Sequence, residues 1–264
     1  MKESTTIIVN KEVKLNNPIL VAGLPGVGNV GKLVAEHLKK EFNGERIATL
    51  YSIHLLPKVV MLKSGGLRLA SNRFYYIKSR KKNGNDIVVL TGDDQAITPE
   101  GQYEVNEKIV SFFREKLKGR FVYTVASYTT GEPVNGTPRV FGNATSKQVI
   151  EEFKGTDVLF GKSKGVILGS AGLIVAFAKR QKLDGICLMG ETSFVDLDAA
   201  AAKSVLVVLA GRLGLEIDTQ SLDKMIARTA KTIKDLEHQM TVAFPSMQGG
   251  SGPAQHEQNP SYIR

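Results

Sequence analysis

Two rhythms of apolar and polar positions alternate along the chain. Thr5 to Val9, Ile19 to Ala22, Ile47 to Tyr51, Ile87 to Leu90, Phe121 to Ala126 and Gly185 to Met189 are short apolar runs that predict strands. Between them the spacing turns helical. Asn29 to Phe42 sets Val30, Leu33, Val34 and Leu38 on one face. Thr98-Pro99-Glu100 offers a capping hydroxyl, a proline in the first turn and a carboxylate near the positive end of a helix. Val105, Ile109, Phe112, Phe113 and Leu117 follow on one side of it. Ser170 to Lys182 and the alanine-rich Leu197 to Leu213 read as further helices, the second preceded by Ser193 and Asp196 in a pattern like a capping box. Alternating helices and apolar strands predict an α/β fold with a mainly parallel sheet covered on both faces.

Elsewhere the pattern is looser. Val59 to Leu62, Leu67 to Ala70 and Phe74 to Lys78, separated by Gly65-Gly66 and Asn72, predict a hairpin or meander. Tyr128 to Asn143 reads as a loop-rich insert, Thr145 to Phe153 as a short helix and Gly165 to Gly169 as strand-like. A last helix opens at Asp218 or Thr219 and runs to about Val242. Its Leu222, Ile226, Thr229, Ile233, Leu236 and Met240 form a seam at 4,3,4,3 spacing, suited to docking within the domain or against another subunit. The expected division is one domain over residues 1–244 and a flexible Gly/Ser-rich tail over 245–264.

Composition narrows the classes. Of 264 residues, 42% are hydrophobic, enough for one large domain or two small ones. Cys187 is the single cysteine, which excludes an internal disulfide and suits a reducing, cytoplasmic setting. Met1 to Ser4 lead straight into a β-like run with no apolar leader, and no uncharged stretch reaches the ~20 apolar residues of a membrane helix. The formal net charge of +9 raises nucleic acid as a partner. The charge is dispersed, however: the one dense run, Lys78 to Lys82, leads into the turn Asn83-Gly84-Asn85. With no zinc-knuckle cysteines and no aromatic RNA-binding strand, nucleic acid stays a secondary reading.

One local motif is prominent. Gly23-Leu24-Pro25-Gly26-Val27-Gly28-Asn29-Val30-Gly31-Lys32 follows a strand and opens a helix. Gly26, Gly28 and Gly31 match the dinucleotide fingerprint, yet the following strand ends Leu50 to His54 with no acid for a ribose. As a phosphate loop it fails at Leu33, where a magnesium-binding hydroxyl is required. Two readings therefore stand: a ligand loop of Gly23, Gly26, Gly28, Gly31 and Lys32, or a tight turn whose glycines permit close packing. Asp93-Asp94 with Glu100, and Glu191 with Asp196 and Asp198, could supply magnesium ligands, but both sets precede helices, where acids serve as caps and dipole partners. His37, His54, His238 and His256 show no metal spacing, and Cys187 sits in an apolar strand. No catalytic residue set, metal site or cofactor is assigned. The chain closes on Tyr262-Ile263-Arg264, which reads either as a frayed terminus or as a partner-binding tripeptide on a tether.

Several segments in order resemble the archaeal proteasome assembly chaperone family: Gly23 to Gly31, Thr91 to Gln95, Gly101 to Glu104, Tyr128 to Gly131, Gly169 to Leu173 and Leu188 to Thr192. Asp196 to Ala201 and Leu213 to Asp218 complete the set, and the resemblance covers about residues 5–240. It implies a domain similar to the nucleoside phosphorylase fold, without enzymatic activity, that self-associates and binds proteasome α subunits or the core particle. Some members end in a hydrophobic-tyrosine-any tripeptide that enters pockets between α subunits; here Tyr262 is third from last. The resulting expectation is a non-enzymatic, homo-oligomeric chaperone or adaptor of the proteasome. The alternative is a nucleoside- or nucleotide-handling enzyme built on loop 23–32 with carboxylates from Asp93, Glu191 or Asp196.

Overall fold

The computed structural model describes residues 4–81, 84–163, 165–193 and 197–243, with side chains through Thr232. The chain divides into two compact units, Met1–Asp223 and Lys224–Arg264.

The first unit is built on a nine-stranded mixed sheet. Its strands are β1 (Thr5–Val9), β2 (Ile19–Ala22), β3 (Glu45–Ser52), β6 (Asn72–Ile77), β7 (Ile87–Gly92), β8 (Phe121–Thr129), β9 (Val140–Ala144), β10 (Val158–Phe160) and β11 (Asp184–Thr192). The spatial order is β1-β3-β6-β7-β2-β8-β11-β9-β10. Two short strands, β4 (Val59–Met61) and β5 (Leu67–Leu69), pair with each other in a separate ribbon. The sheet is parallel at its centre and again at its β9–β10 edge. β7, β2, β8 and β11 run together, whereas β1, β3 and β6 add antiparallel on one side and β9 on the other. The expectation of a mainly parallel sheet thus holds for the four central strands. Of these, β2 and β7 are buried throughout and β11 at all but its first residue, as strands covered by helices on both faces must be, while β8 is buried from Val122 to Val125.

Helices α1 (Val30–Glu41) and α5 (Ala199–Leu213) pack together against the sheet, as do α2 (Pro99–Ser111) and α4 (Ser170–Arg180); α3 (Lys147–Glu151) lies by β9 and β11. Each forms where its sequence supplies a stripe and a start. α1 buries Val30, Val34 and Leu38 at four-residue spacing. α2 starts as expected, with the Thr98 hydroxyl accepting from the Gly101 N–H at 3.1 Å and Pro99 in its first turn. It continues through a π-helical turn, Phe112–Lys116, that buries Phe113. α5 is capped by Asp198, whose carboxylate accepts from the Ala201 N–H at 2.9 Å, rather than by the Ser193–Asp196 pair; Asp196 itself lies outside the described residues. Gly214, at φ 61°, ends α5 in the left-handed conformation. The core between the sheet and the α2–α4 pair gathers Leu20, Leu90, Phe74, Ile109, Phe113 and Ile174.

Two further expectations are corrected. Part of the loop-rich insert 128–143 is strand, since β8 runs on to Thr129 and β9 begins at Val140. Residues 165–169 form no strand, because Gly165 at φ 106° and Gly169 at φ 81° turn the backbone out of the extended region. Of the hairpin or meander expected over these runs, the hairpin forms as the β4–β5 ribbon, and β6 joins the main sheet. Helix α6 spans Gln220–Ala243, so the last helix begins where the sequence placed it. Leu222 is buried and the Lys203 ammonium bonds Asp223 at 2.6 Å; the side chains of Ile233, Leu236 and Met240 lie outside the described residues. Among the described residues no helix is long and apolar enough to cross a membrane.

Candidate functional site at the strand carboxyl ends

In an open α/β sheet, ligands bind where parallel strands end and the chain turns into helices. Here the ends of β2, β8 and β11 open into a crevice of about 980 Å³. Gly26, Gln95, Ser127, Asn143 and Leu168 are among its lining residues. Of the glycine loop, Gly26 and Gly31 reach this lining, whereas Gly23, Gly28 and Lys32 do not.

The loop's geometry follows from packing. A Cβ on Gly23 would stand 2.0 Å from the carbonyl oxygen of Gly31, and one on Gly31 2.4 Å from that of Val125. These two glycines let α1 lie directly on β2 and β8. Gly28 sits at φ 61°, with its carbonyl accepting from the Asp198 N–H at 2.8 Å. Asp198 also accepts from the Thr192 hydroxyl at 2.6 Å, so the glycine turn is fastened to the start of α5. Gln95 fastens its other side: the side-chain amide donates to the Pro25 carbonyl at 2.5 Å and accepts from the Ser170 N–H at 2.7 Å. The Ser170 N–H that opens α4 is therefore already satisfied by the protein. Gln95 was not singled out as a site residue by sequence reasoning, because its partners lie 70 and 75 positions away.

Three of the acidic residues considered for magnesium or acid–base chemistry, Asp93, Asp94 and Glu191, are held by cations. The Arg68 guanidinium grips Asp93 with two donors, Arg73 adds a third at 3.1 Å, and the Ser71 N–H donates at 3.0 Å. Burial opposes the charge of Asp93, but these hydrogen bonds and the two arginine charges win and hold its pKa at about 2. Asp94 accepts from Lys58 at 2.8 Å. Glu191, buried at the end of β11, accepts from the Arg139 side chain and backbone N–H, and these bonds hold its carboxyl below the ordinary carboxylate range. Asp93 thereby anchors the β4–β5 ribbon, and Glu191 anchors the approach to β9.

Other reactive residue types are similarly placed. His54 lies 3.2 Å from Glu104, and His37 lies 3.3 Å from the Ser221 hydroxyl. Cys187 is fully buried, and burial pushes its thiol up to about 11, away from nucleophilic chemistry. Among the described residues no group of three or more His, Cys, Asp or Glu side chains could hold a metal ion. The described lining of the crevice contains no carboxylate, histidine, lysine or cysteine. His238, His256 and the tripeptide Tyr262, Ile263 and Arg264 lie outside the described residues.

This arrangement predicts that Lys32→Ala leaves folding and thermal midpoint nearly unchanged. Calorimetry of the native chain with ATP, NAD and nucleosides is expected to show no saturable heat. Micromolar binding that disappears in the Lys32 variant would establish the loop as a ligand site instead.

A profile described as the PAC2 family matches residues 20–237. An uncharacterized protein of Methanocaldococcus jannaschii is 36% identical over 243 residues, covering 89% of this chain and 92% of the relative. Among solved structures, Pyrococcus furiosus PbaB, an archaeal proteasome activator, superposes with a TM-score of 0.83 at 35% identity over 89% of this chain and 99% of PbaB. Pyrococcus furiosus PbaA, an archaeal homolog of proteasome-assembly chaperone, superposes with a TM-score of 0.75 at 26% identity over 93% and 97%. The family expected from the ordered segments is the one found. With the profile spanning most of its length, the chain belongs to the PAC2 family.

Proposed function

We propose that this chain is a non-enzymatic assembly chaperone or adaptor of the archaeal-type proteasome, acting in the cytoplasm as a homo-oligomer that binds α subunits of the core particle. One observation carries the reading: the likeness to the proteasome activator PbaB runs through 99% of that chain. The crevice is in keeping with a non-enzymatic role, since its described lining contains no carboxylate, histidine, lysine or cysteine. The open sheet with a crevice at its strand ends also motivates reading the fold as related to nucleoside phosphorylases. That relation carries no activity with it, because function resides in the site and not in the fold.

Within this reading Tyr262, Ile263 and Arg264 make the contact with the α-ring. Tyr262 offers a large, stiff surface at low entropic cost, and Ile263 adds apolar burial worth up to ~3 kcal/mol. Ordering a Gly/Ser-rich tether consumes part of that gain, so one tail binds weakly and several on one oligomer bind through effective concentration. The test measures binding of purified proteasome α-rings to the intact chain, a variant lacking residues 262–264, and Tyr262→Ala. Expected is a loss of at least about tenfold in both variants. Equal binding by all three would place recognition on the folded domain, and no binding by the intact chain would end the reading.

A further inference from the structure

The β4–β5 ribbon is oriented inside out. Its register pairs Val59 with Leu69, Val60 with Arg68 and Met61 with Leu67. Side chains alternate across a strand, so the first and third pairs share one face. That face is the one left bare: Val59 is 53% exposed, Met61 85%, Leu67 69% and Leu69 60%. The opposite face carries Arg68, clamped on Asp93. A slip of one residue would turn the apolar side inward, as a pleated strand ordinarily prefers. The register is instead locked by Arg68 on Asp93, Lys58 on Asp94 and the Ser71 N–H on Asp93.

The exposure is concentrated. Of the sixteen exposed large hydrophobic side chains among the described residues, seven fall between Ile53 and Leu69. Scattered apolar side chains are ordinary on a surface, but a contiguous patch rimmed by polar groups marks an interaction site. A two-stranded ribbon is also marginal in water by itself and gains from a cover on its apolar face.

We infer that this face is where two copies of the chain meet, ribbon against ribbon, about a two-fold axis. Charge selects the occupant. The chain carries a formal +9, so most of its surface repels another copy. On the ribbon the cations of Lys58 and Arg68 are held in ion pairs by Asp94 and Asp93, and the outward pairs carry no charge. Two copies can approach here without opposing like charges, whereas an acidic or basic partner gains no ion pair from these outward side chains. An uncharged apolar face is also self-complementary, which a two-fold contact requires. A two-fold axis crossing the strands sets the two turns, each with its Lys63, at opposite ends of the contact.

The inference rests on the self-association in the reading above and names its surface. The test is light scattering on the full chain at micromolar concentration, for the native protein and for Met61→Glu with Leu67→Glu. Both positions are exposed, so circular dichroism is expected to show an intact fold. The native protein is expected to give a multiple of 28.7 kDa, and the variant half that assembly or the single chain. Met61→Ser with Leu67→Ser, which adds no charge, is expected to weaken association in the same direction. Val166→Glu with Leu168→Glu, altering the other strongly exposed pair, is expected to leave the mass unchanged. A native monomer, or an assembly unmoved by both ribbon variants, overturns the inference. Capture of α-rings, measured on the same proteins, separates the two claims. Native protein that captures α-rings while the ribbon variants keep its mass refutes the surface and leaves the proposed function standing. A ribbon variant that dissociates, beside native protein that captures no α-rings, does the reverse.

Discussion

Gly23→Ala is expected to destabilise the domain by roughly 3 kcal/mol, lowering its thermal midpoint by roughly 6–12 °C. The new methyl would stand 2.0 Å from the Gly31 carbonyl oxygen, 2.6 Å from its carbon and 2.9 Å from the Ala35 Cβ. The first two are backbone atoms of α1, so no rotamer change relieves the overlap and the helix must lift from β2. Val30, Val34 and Leu38 would lose contact with it, since all are fully buried on that helix. Gly26→Ala is the matched comparison. Its φ is −166°, and its nearest neighbour would be the Gln95 side chain at 3.6 Å, an ordinary contact. That substitution is expected to be nearly neutral. Thermal unfolding of the two variants reads the difference directly. A ligand loop would rank them the other way, because Gly26, not Gly23, reaches the crevice. Near-equal midpoints, with loss of a bound nucleotide in Gly26→Ala alone, would defeat the packing account.

The glycine loop shows what the sequence could and could not say. Strand, turn and helix at Gly23 to Lys32 were legible because they are set by nearest neighbours. The loop's purpose depends on Gln95, Asp198 and Val125, which the fold brings from far along the chain. The acids were legible as residues before helices, but not as arginine-bound anchors. Arg68 lies 25 positions from Asp93, and Arg139 lies 52 from Glu191. β9 was hidden because Gly142 is a poor strand former; the structure needs it there, since a Cβ would meet the Phe160 ring and Val158 of β10 at 2.7 Å. The ribbon was legible as strands, yet alternation does not say which face is inward. There the side bearing the arginine is held in and the apolar side left out, the reverse of the ordinary rule. Strand direction was the largest loss, because an apolar run looks the same in a parallel and an antiparallel neighbourhood.

Asp93→Ala is expected to have the second large effect, roughly 3 kcal/mol, and to carry a pH signature. The substitution leaves Arg73, only 12% exposed at its side chain, and Arg68 facing each other without their shared acid. The Ser71 N–H loses its acceptor as well, and with it the ribbon loses its main clamp. In the folded protein the Asp93 carboxyl has a pKa of about 2, below its ordinary 3.8. A depressed carboxyl stabilises the fold above its unfolded pKa and stops doing so as pH falls through the folded one. The contribution, about 2 kcal/mol, is therefore complete above pH ~5 and disappears between pH ~4 and ~2. Urea midpoints of the native chain should fall across that window more steeply than those of Asp93→Asn, which is isosteric and does not titrate. The Asn variant retains an oxygen for the Ser71 N–H, so it should lie between the native chain and Asp93→Ala at pH 6. Parallel acid profiles for the native and Asn proteins would show that the clamp carries no net charge stabilisation. The same variants bear on the ribbon: if Asp93 and Arg68 set its outward register, Asp93→Ala should weaken self-association while Asp93→Asn, with the Ser71 bond kept, should weaken it less.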